Sequence, residues 1–180
     1  MTLLGLQLIC VTYLDGSGTF VLNNTGNTVG TIISGNLTPT GNLNVTNSSS
    51  LSIGSGGNGI DATGSIKIET LTGDINFTEN ISTTSTSSDA IILNAGKSSS
   101  AGTTTGGDIK ITGTPTLTTG TNGIVKLFSG SEAQSSGLGA ISDNKYFGLD
   151  EASSLPSLTT GTTNAIFRET GIASVPQFSG

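Results

Sequence analysis

The chain of 180 residues contains no histidine, no tryptophan and only one cysteine, Cys10. Without these residues it has no Ser-His-Asp triad, no Cys-His dyad, no His-ligated zinc site and no disulfide between two of its own cysteines. Charged residues make up 10% of the chain and aromatic residues 4%, against about 25% charged residues in an ordinary soluble domain. These shortages exclude most familiar catalytic chemistry and a broad aromatic core.

Basic residues are equally scarce: five lysines and Arg168 are scattered singly, and the net charge is −6. Neutralising the phosphates of a nucleic acid requires clustered basic residues, so we expect no nucleic-acid partner. The longest apolar stretch, residues 3–14, is interrupted by polar residues and is too short to span a bilayer. It also lacks the basic start of a signal peptide. We expect no membrane insertion by this segment, and a chain that is a fragment of a longer protein or begins inside its fold.

Glycine, serine and threonine are abundant, with 27, 25 and 30 residues, and they separate short pieces in which apolar residues alternate with others. This alternation is typical of β-strands, because successive side chains of a strand point to opposite faces. No segment has the apolar spacing of an amphipathic helix, so we expect almost no helix. The pieces are 20–22, 43–45, 51–53, 66–68, 75–77, 91–93, 109–111, 116–118 and 125–127.

Equivalent positions recur about every 23 residues between Phe20 and Phe128. This period is typical of arrays in which each repeat pairs its strands with those of the next repeat. It predicts an all-β fold, a parallel β-solenoid of about 4 to 5 coils, right-handed because parallel crossovers have that hand. A sandwich of hairpins stays an alternative, since its turns recur every 8 to 12 residues or so. The spacings are 23 residues for Phe20–Leu43 and Leu43–Ile66, 24 for Leu51–Ile75 and Leu93–Leu117, and 25 for Ile66–Ile91.

The alternation also assigns each strand residue to a face of its sheet. Lys67, Asn76, Lys110 and Lys126 are predicted to point outward. The residues predicted to point inward are Phe20, Leu22, Leu43, Val45, Leu51, Ile53, Ile66, Ile68, Ile75, Phe77, Ile91, Leu93, Ile109, Ile111, Leu117, Val125 and Leu127.

The pattern divides the chain into three stretches. Residues 1–18 are predicted to be an N-terminal strand or an incomplete first coil, and residues 19–130 the solenoid itself. Residues 131–180 have a different composition, with two of the four prolines and a charge cluster between Asp143 and Glu151. We predict that this last stretch is a mostly irregular cap or a linker, since an exposed β-edge needs cover.

The segment Gly54-Ser55-Gly56-Gly57-Asn58-Gly59 matches the G-x-G-x-x-G pattern, which binds pyrophosphate only where a strand leads into a helix. No helix is predicted after it, so we interpret it as a wide turn that needs positive φ angles. Residues 56–61 also match the start of a calcium-binding nonapeptide. Thr63 then occupies an apolar position of that motif, and no second copy follows. We predict no cofactor and no metal site.

Carboxylates are the remaining candidates for catalysis. Polysaccharide-cleaving enzymes use clustered acids, and Asp61, Glu69 and Asp74 are close enough in sequence to form such a cluster. No arginine lies within the predicted coils to assist them. We interpret the three acids as solvated turn charges, assign no catalytic residue and predict that the chain is not an enzyme. A polysaccharide lyase or hydrolase of the β-helix class stays the alternative.

Several stretches share the pattern of a known repeat, namely 20–31, 41–45, 93–96, 101–109, 127–131 and 137–138. They resemble the coil repeats of the filamentous-haemagglutinin-like surface proteins of Gram-negative bacteria. Residues 165–169 resemble the Tyr-Arg-Glu junction at which such proteins pass into tandem immunoglobulin-like modules. Phe167 stands here in place of the tyrosine, and Thr170-Gly171 in place of a Gln-Pro.

This resemblance implies a secreted or surface-displayed β-solenoid outside a Gram-negative bacterial cell, acting as an adhesin stalk or adhesive surface. It carries over no catalytic residue. The acidic, polar exterior suits weak multivalent contact with host or matrix glycans or proteins, where many sites together supply the affinity. A purely mechanical spacer without a ligand is a second alternative.

Overall fold

The computed structural model describes residues 12–14, 16, 18–34 and 41–171 of the chain. Over these residues the protein consists mainly of β-strands in parallel sheets, and its one described helix, α1, spans four residues, Leu138–Ile141. The prediction of an all-β fold with almost no helix is confirmed. The predicted N-terminal stretch 1–18 is described only in part, and Cys10 lies outside the described residues.

The described strands form three sheets, here called sheets A, B and C, with seven, five and three strands. Sheet A contains β2 (Phe20–Leu22), β4 (Leu43–Asn47), β7 (Ile66–Thr70), β10 (Ile91–Asn94), β13 (Val125–Ser129), β14 (Asn144–Phe147) and β15 (Thr163–Phe167). Sheet B contains β1 (Thr12–Leu14), β3 (Thr31–Ser34), β5 (Leu51–Ile53), β8 (Ile75–Phe77) and β11 (Ile109–Ile111). Sheet C contains β6 (Ile60–Ala62), β9 (Ile81–Thr83) and β12 (Leu117–Thr118).

Consecutive strands from β4 to β13 belong to different sheets. From β4 the chain passes through sheets A, B and C in turn, and it repeats this circuit from β7 and from β10. Every pairing between described strands is parallel, and the antiparallel contact in this part of the chain is an isolated bridge between Ser55 and Asn58. The hairpin sandwich is therefore wrong for the described strands, because a hairpin pairs neighbouring strands in antiparallel.

Each circuit pairs with the next in a fixed register, and this register agrees with the predicted spacing in the first circuits. Because side chains alternate, a slip of one residue would turn every inner side chain outward. The confirmed pairs are Phe20–Leu43, Leu43–Ile66, Leu51–Ile75 and Ile66–Ile91.

The predicted pairing of Leu93 with Leu117 is wrong. Leu93 pairs with Leu127, and Leu117 pairs with Ile81. The cause is the connection from β10 to β11, which is ten residues longer than that from β7 to β8 (95–108 against 71–74). Such an insertion displaces all later strands without changing the alternation inside them, so a constant period fails there.

Aliphatic side chains of all three sheets share one interior. Of the seventeen residues predicted to point inward, sixteen are buried and Leu117 is partly buried against the same core. Lys67, Asn76, Lys110 and Lys126 occupy the alternate positions and are half-buried, so the predicted faces are confirmed. Full burial of an isoleucine or leucine stabilises the fold by about 1.5–3 kcal/mol. The buried core also contains residues that the alternation did not single out, namely Leu14, Val29, Ile32, Ile60, Ala62, Ile81, Ala95, Leu138, Ala165 and Phe167.

Buried polar side chains stand where sheet A ends and the chain turns towards sheet B. Asn47 and Thr70 are register partners, and both are fully buried. Asn47 accepts the N–H of Val29 at 2.7 Å, and Thr70 donates to the carbonyl of Gly73 at 2.7 Å and accepts the N–H of Gly96 at 2.9 Å. A buried polar group is costly unless it is hydrogen-bonded, so these side chains satisfy turn backbone that the sheets leave unpaired.

Residues after Ser129 contribute to the same sheets. Strand β15 lies between β13 and β14, and β14 forms the edge of sheet A. At the end of sheet B, Ser136 accepts the N–H of Ile111 at 2.8 Å, and Leu138 of α1 is fully buried in the core. The predicted boundary at residue 130 thus falls inside a continuous sheet, and the stretch that follows both extends sheet A and covers sheet B.

Two adjacent residues of β8 test the assigned faces. We expect Ile75→Asp to lower the free energy of unfolding by about 3 kcal/mol or more, because Ile75 is fully buried and a carboxylate there has no partner. Asn76→Asp, on the half-buried face beside Lys110, should change it by less than about 0.5 kcal/mol. Urea unfolding followed by circular dichroism measures both variants, and equal midpoints would contradict the assignment.

Candidate functional site

The glycine-rich segment 54–59 forms the turn between β5 and β6. Gly54 and Gly57 have φ angles of +87° and +84°, and a Cβ on Gly59 would lie 1.9 Å from the backbone oxygen of Asn80. Strand β6 follows directly, so the segment lacks the helix N-terminus that binds a pyrophosphate. The interpretation as a turn with positive φ angles is confirmed.

The three acids considered as a possible catalytic cluster lie in, or directly beside, three different sheets. Asp61 is in β6 of sheet C, Glu69 in β7 of sheet A, and Asp74 directly before β8 of sheet B. Each has partners of its own: Asp61 accepts the hydroxyl of Ser82 at 2.7 Å, and Asp74 accepts the ammonium of Lys110 at 2.5 Å. The structure does not bring the three carboxylates together. Within the described ranges, no group of three or more metal-binding side chains is found.

Glu69 is not a solvated turn charge, and that interpretation is wrong for this residue. It is only 2% exposed, and its carboxylate lies 2.9 Å from Nζ of Lys67 and 2.6 Å from Nζ of Lys97. Glu151 closes the circle, with its carboxylate 2.5 Å from Nζ of Lys67 and 3.5 Å from Nζ of Lys97. These four side chains, here called the charge ring, alternate in sign and their formal charges cancel.

Strand geometry places the charge ring on the outer face of sheet A. Lys67 and Glu69 are two residues apart in β7 and therefore point to the same face. Asn94, the register partner of Glu69 in β10, is 2% exposed and donates from its side chain to Glu151 at 3.1 Å. The side-chain oxygen of Asn94 has no hydrogen-bond partner among the described residues. Lys97 lies three residues after the end of β10, so β7 and the turn that follows its neighbour β10 supply all the ring members except Glu151.

Glu151 belongs to the connection between β14 and β15, residues 148–162, here called the strap. From β15 to β7 the strap crosses three strand spacings, about 14 Å of sheet. Asp150 fastens it, accepting the hydroxyl of Ser153 at 2.7 Å and the N–H of Ala101 at 2.8 Å, and these hydrogen bonds lower the pKa of its carboxyl. The strap thus brings a fourth charge, a second carboxylate for Lys67 and Lys97, onto the outer face of the sheet.

The charges of the ring support one another. Burial raises the pKa of the Glu151 carboxyl, but the hydrogen bond and charge of Lys67, aided by the charge of Lys97, outweigh burial and hold that pKa below its ordinary value. Burial lowers the pKa of the Lys67 ammonium, whereas hydrogen bonds to Glu151 and Glu69 raise it above its ordinary value. Both groups are therefore stabilised in their charged forms near neutral pH.

A groove of about 380 Å³ lies beside the ring on the same face of sheet A. Ile92 and Phe128 line it with apolar side chains, and Leu155 of the strap lines it as well. Lys67 and Lys126 also line it, each the register partner of Ile92 on one side of β10. The groove therefore combines an apolar surface with ammonium groups from both neighbouring strands.

The single arginine, Arg168, follows β15 and is 1% exposed. Its guanidinium donates to the carbonyl of Gly107 at 2.7 Å. Burial lowers the pKa of this guanidinium, and the charges of Asp108 and Asp150 offset part of that effect. Asp108 in turn accepts the N–H of Ser131 at 2.8 Å. These contacts fasten the long connection after β10 to the C-terminal part of the chain.

Sequence reasoning missed Asn94, Lys97 and Glu151 as members of one site. The signal in the sequence was weak: in a chain with 10% charged residues, the charge cluster that ends at Glu151 stands out, but nothing in it indicates its partners. Those partners lie more than fifty residues away in sequence, and no spacing rule connects the strap to β7.

Comparison of the chain with profiles of protein families, with curated proteins and with solved structures finds no match. Among the residues described, none of the helical structure is long and apolar enough to cross a membrane. The sheets, the charge ring and the groove are therefore the features from which function is inferred.

The pH dependence of stability tests the contribution of Glu151. Its pKa is lower in the folded chain, so its stabilisation is complete above the ordinary glutamate pKa of about 4.3 and is lost as the pH falls through the folded value. We expect Glu151→Gln to lower the free energy of unfolding by about 1 kcal/mol at neutral pH, and the difference from wild type to vanish in strong acid.

Urea unfolding across the acid range measures both proteins. Glu132→Gln, which removes an exposed pair with Lys145, is the matched control and should change stability by less than about 0.5 kcal/mol. A difference between wild type and Glu151→Gln that persists unchanged well below the ordinary glutamate pKa would contradict the role assigned to Glu151.

Proposed function

We propose that the chain is a non-enzymatic segment of a secreted or surface-displayed adhesin of a Gram-negative bacterium. Outside the cell it acts as an elongated stalk or an adhesive surface. The three parallel sheets are then the faces of a right-handed β-solenoid of about 4 to 5 coils. The observation that carries the proposal is the register, in which strands of one circuit pair with their equivalents in the next. Such stacking builds length along one axis.

Strand count and connectivity support the finer description. Strands β2, β4, β7, β10 and β13 supply one strand of sheet A for each proposed coil. A right-handed path is expected because crossovers between parallel strands have that hand in about 98% of cases. Adding further circuits of the same kind would lengthen the solenoid, and a fold that can be lengthened in this way suits a stalk.

The exterior supports contact by many weak sites. Outward positions of sheet C are Asp61, Ser82 and Thr118, which are register partners across its three strands. Hydroxyl and carboxylate groups of this kind form hydrogen bonds with sugar hydroxyls or polar protein surfaces. Host or matrix glycans or proteins are the proposed partners, and affinity comes from simultaneous engagement of many copies.

The two alternative functions, a polysaccharide-cleaving enzyme and a mechanical spacer, require different features of the structure. A polysaccharide lyase or hydrolase needs converging carboxylates, and the dispersal of Asp61, Glu69 and Asp74 over three sheets speaks against that trio. A purely mechanical spacer needs only the stacked circuits and has no ligand. The spacer therefore differs from the adhesin in binding alone.

Display in many copies separates these functions. We expect beads that carry the chain at high density to adhere to surfaces coated with matrix glycoproteins or acidic glycans, and the monomer to bind about 10²- to 10⁴-fold more weakly. Beads carrying Ile75→Asp control for non-specific adhesion. Failure of the dense beads on every surface would refute adhesion in favour of the spacer. Unsaturated product from polygalacturonate, together with a melting temperature raised by millimolar calcium, would refute the non-enzymatic proposal.

A further inference from the structure

The donors that surround Glu151 form a receptor for a carboxylate. Lys67 and Lys97 approach its two oxygens at 2.5 and 3.5 Å, and Asn94 donates to it at 3.1 Å. Charge-assisted hydrogen bonds to a carboxylate are the strong ones, and the two oxygens accept several donors at once. Lys67 and Asn94 donate hydrogen bonds to this carboxylate, and Lys97 adds a positive charge at longer range. These groups act on the carboxylate itself, which an external molecule can supply as well as the strap can.

The charge balance of the ring also allows replacement of one carboxylate by another. Without Glu151, Lys67 and Lys97 face Glu69 alone, and one positive charge is left over. An uncompensated charge beside buried groups such as Glu69 and Asn94 is unfavourable. A ligand with a single carboxylate restores neutrality one for one.

The adjoining groove indicates what the rest of that ligand is. Its volume of about 380 Å³ lies in the range of small-ligand sites, about 300–1,000 Å³. Ile92 and Leu155, both half-buried, offer the apolar surface, since Phe128 is only 2% exposed, and Ser65, Asp89 and Lys126 offer hydrogen-bonding groups. A pyranose ring has an apolar C–H face and a rim of hydroxyls, so it matches this lining. A pyranose that also bears a carboxylate is a uronic acid.

We propose that Lys67, Lys97 and Asn94 bind the carboxylate of a uronic acid residue in an acidic glycan, and that Glu151 of the strap occupies their site until the glycan displaces it. The inference rests on the proposed adhesive function and specifies its glycan. The chain's net charge of −6 opposes a distant anion, but at physiological salt charges beyond about 8 Å are screened. Local donors therefore decide the binding.

Removal of Glu151 tests this site. We expect Glu151→Ala to bind trigalacturonate at least about tenfold more tightly than wild type, because the strap's carboxylate no longer competes at high effective concentration. Methyl-esterified trigalacturonate, which has the same backbone without charge, should show no gain. Isothermal titration calorimetry measures each dissociation constant, and thermal melts show that each variant is folded.

Matched variants keep the result specific. Glu132→Ala makes the same change of charge and frees Lys145, but this ion pair lies outside the groove. The affinity of Glu132→Ala for trigalacturonate should therefore equal that of wild type. Lys97→Met added to Glu151→Ala should remove the gain. Should Glu151→Ala fail to fold, Glu151→Gln keeps the shape of the side chain and should gain in the same direction.

Three outcomes would overturn the proposal: equal affinity of wild type and the Glu151 variants, an equal gain in Glu132→Ala, or a gain towards the methyl ester. The result is separable from the adhesive function. If dense wild-type beads adhere but Glu151→Ala binds trigalacturonate no more tightly than wild type, the site is refuted and the adhesive function is not. A gain in Glu151→Ala with no bead adhesion would support the site and refute the adhesive function.

Discussion

The structure depends on one constraint, the register in which each strand meets its equivalent in the next circuit. Parallel pairing leaves backbone groups satisfied only when whole strands align, and a slip of one residue would expose the aliphatic face of every strand. Leu43, Ile66, Ile91 and Val125 therefore stack in one column of sheet A. The shared core that results is built from Ile, Leu, Val, Phe and Ala side chains, with buried polar side chains such as Asn47 and Thr70 at the turns.

The strands of this arrangement carry their lysines at outward positions, and each of the five lysines lies in an ion pair with a carboxylate. The charge ring is the clearest example. Lys67 and Glu69 occupy alternate positions of one strand, and the strap, which begins at the edge of sheet A, supplies Glu151 as a second carboxylate for Lys67. A loop that long inside a compact fold commonly has a function. Here it lies beside the groove and supplies the carboxylate that the site is built to receive.

The sequence predicts the faces of the strands well, because Ile66-Lys67-Ile68 and its equivalents follow the two-residue alternation that backbone geometry imposes. It also predicts the turn at residues 54–59 from its glycines. It does not predict the pairing of Leu93 with Leu127, since loop length is independent of strand pattern. Nor does it predict the burial of Glu69, which depends on distant residues that cross the sheet. Local rules predict strands and faces, whereas insertions and long-range contacts decide the site.

Engineered disulfides test the register most directly. Ser52 and Asn76 are register partners on the outer face of sheet B, and neighbouring parallel strands lie about 4.8 Å apart, within the Cα separation that a disulfide bridges. With Cys10 replaced by serine, the account predicts that Ser52→Cys/Asn76→Cys oxidises within the monomer, with loss of both free thiols. Thr46→Cys/Ser52→Cys, which would face each other in a hairpin of β4 and β5, should keep its thiols. Oxidation of the second pair in place of the first would contradict the account.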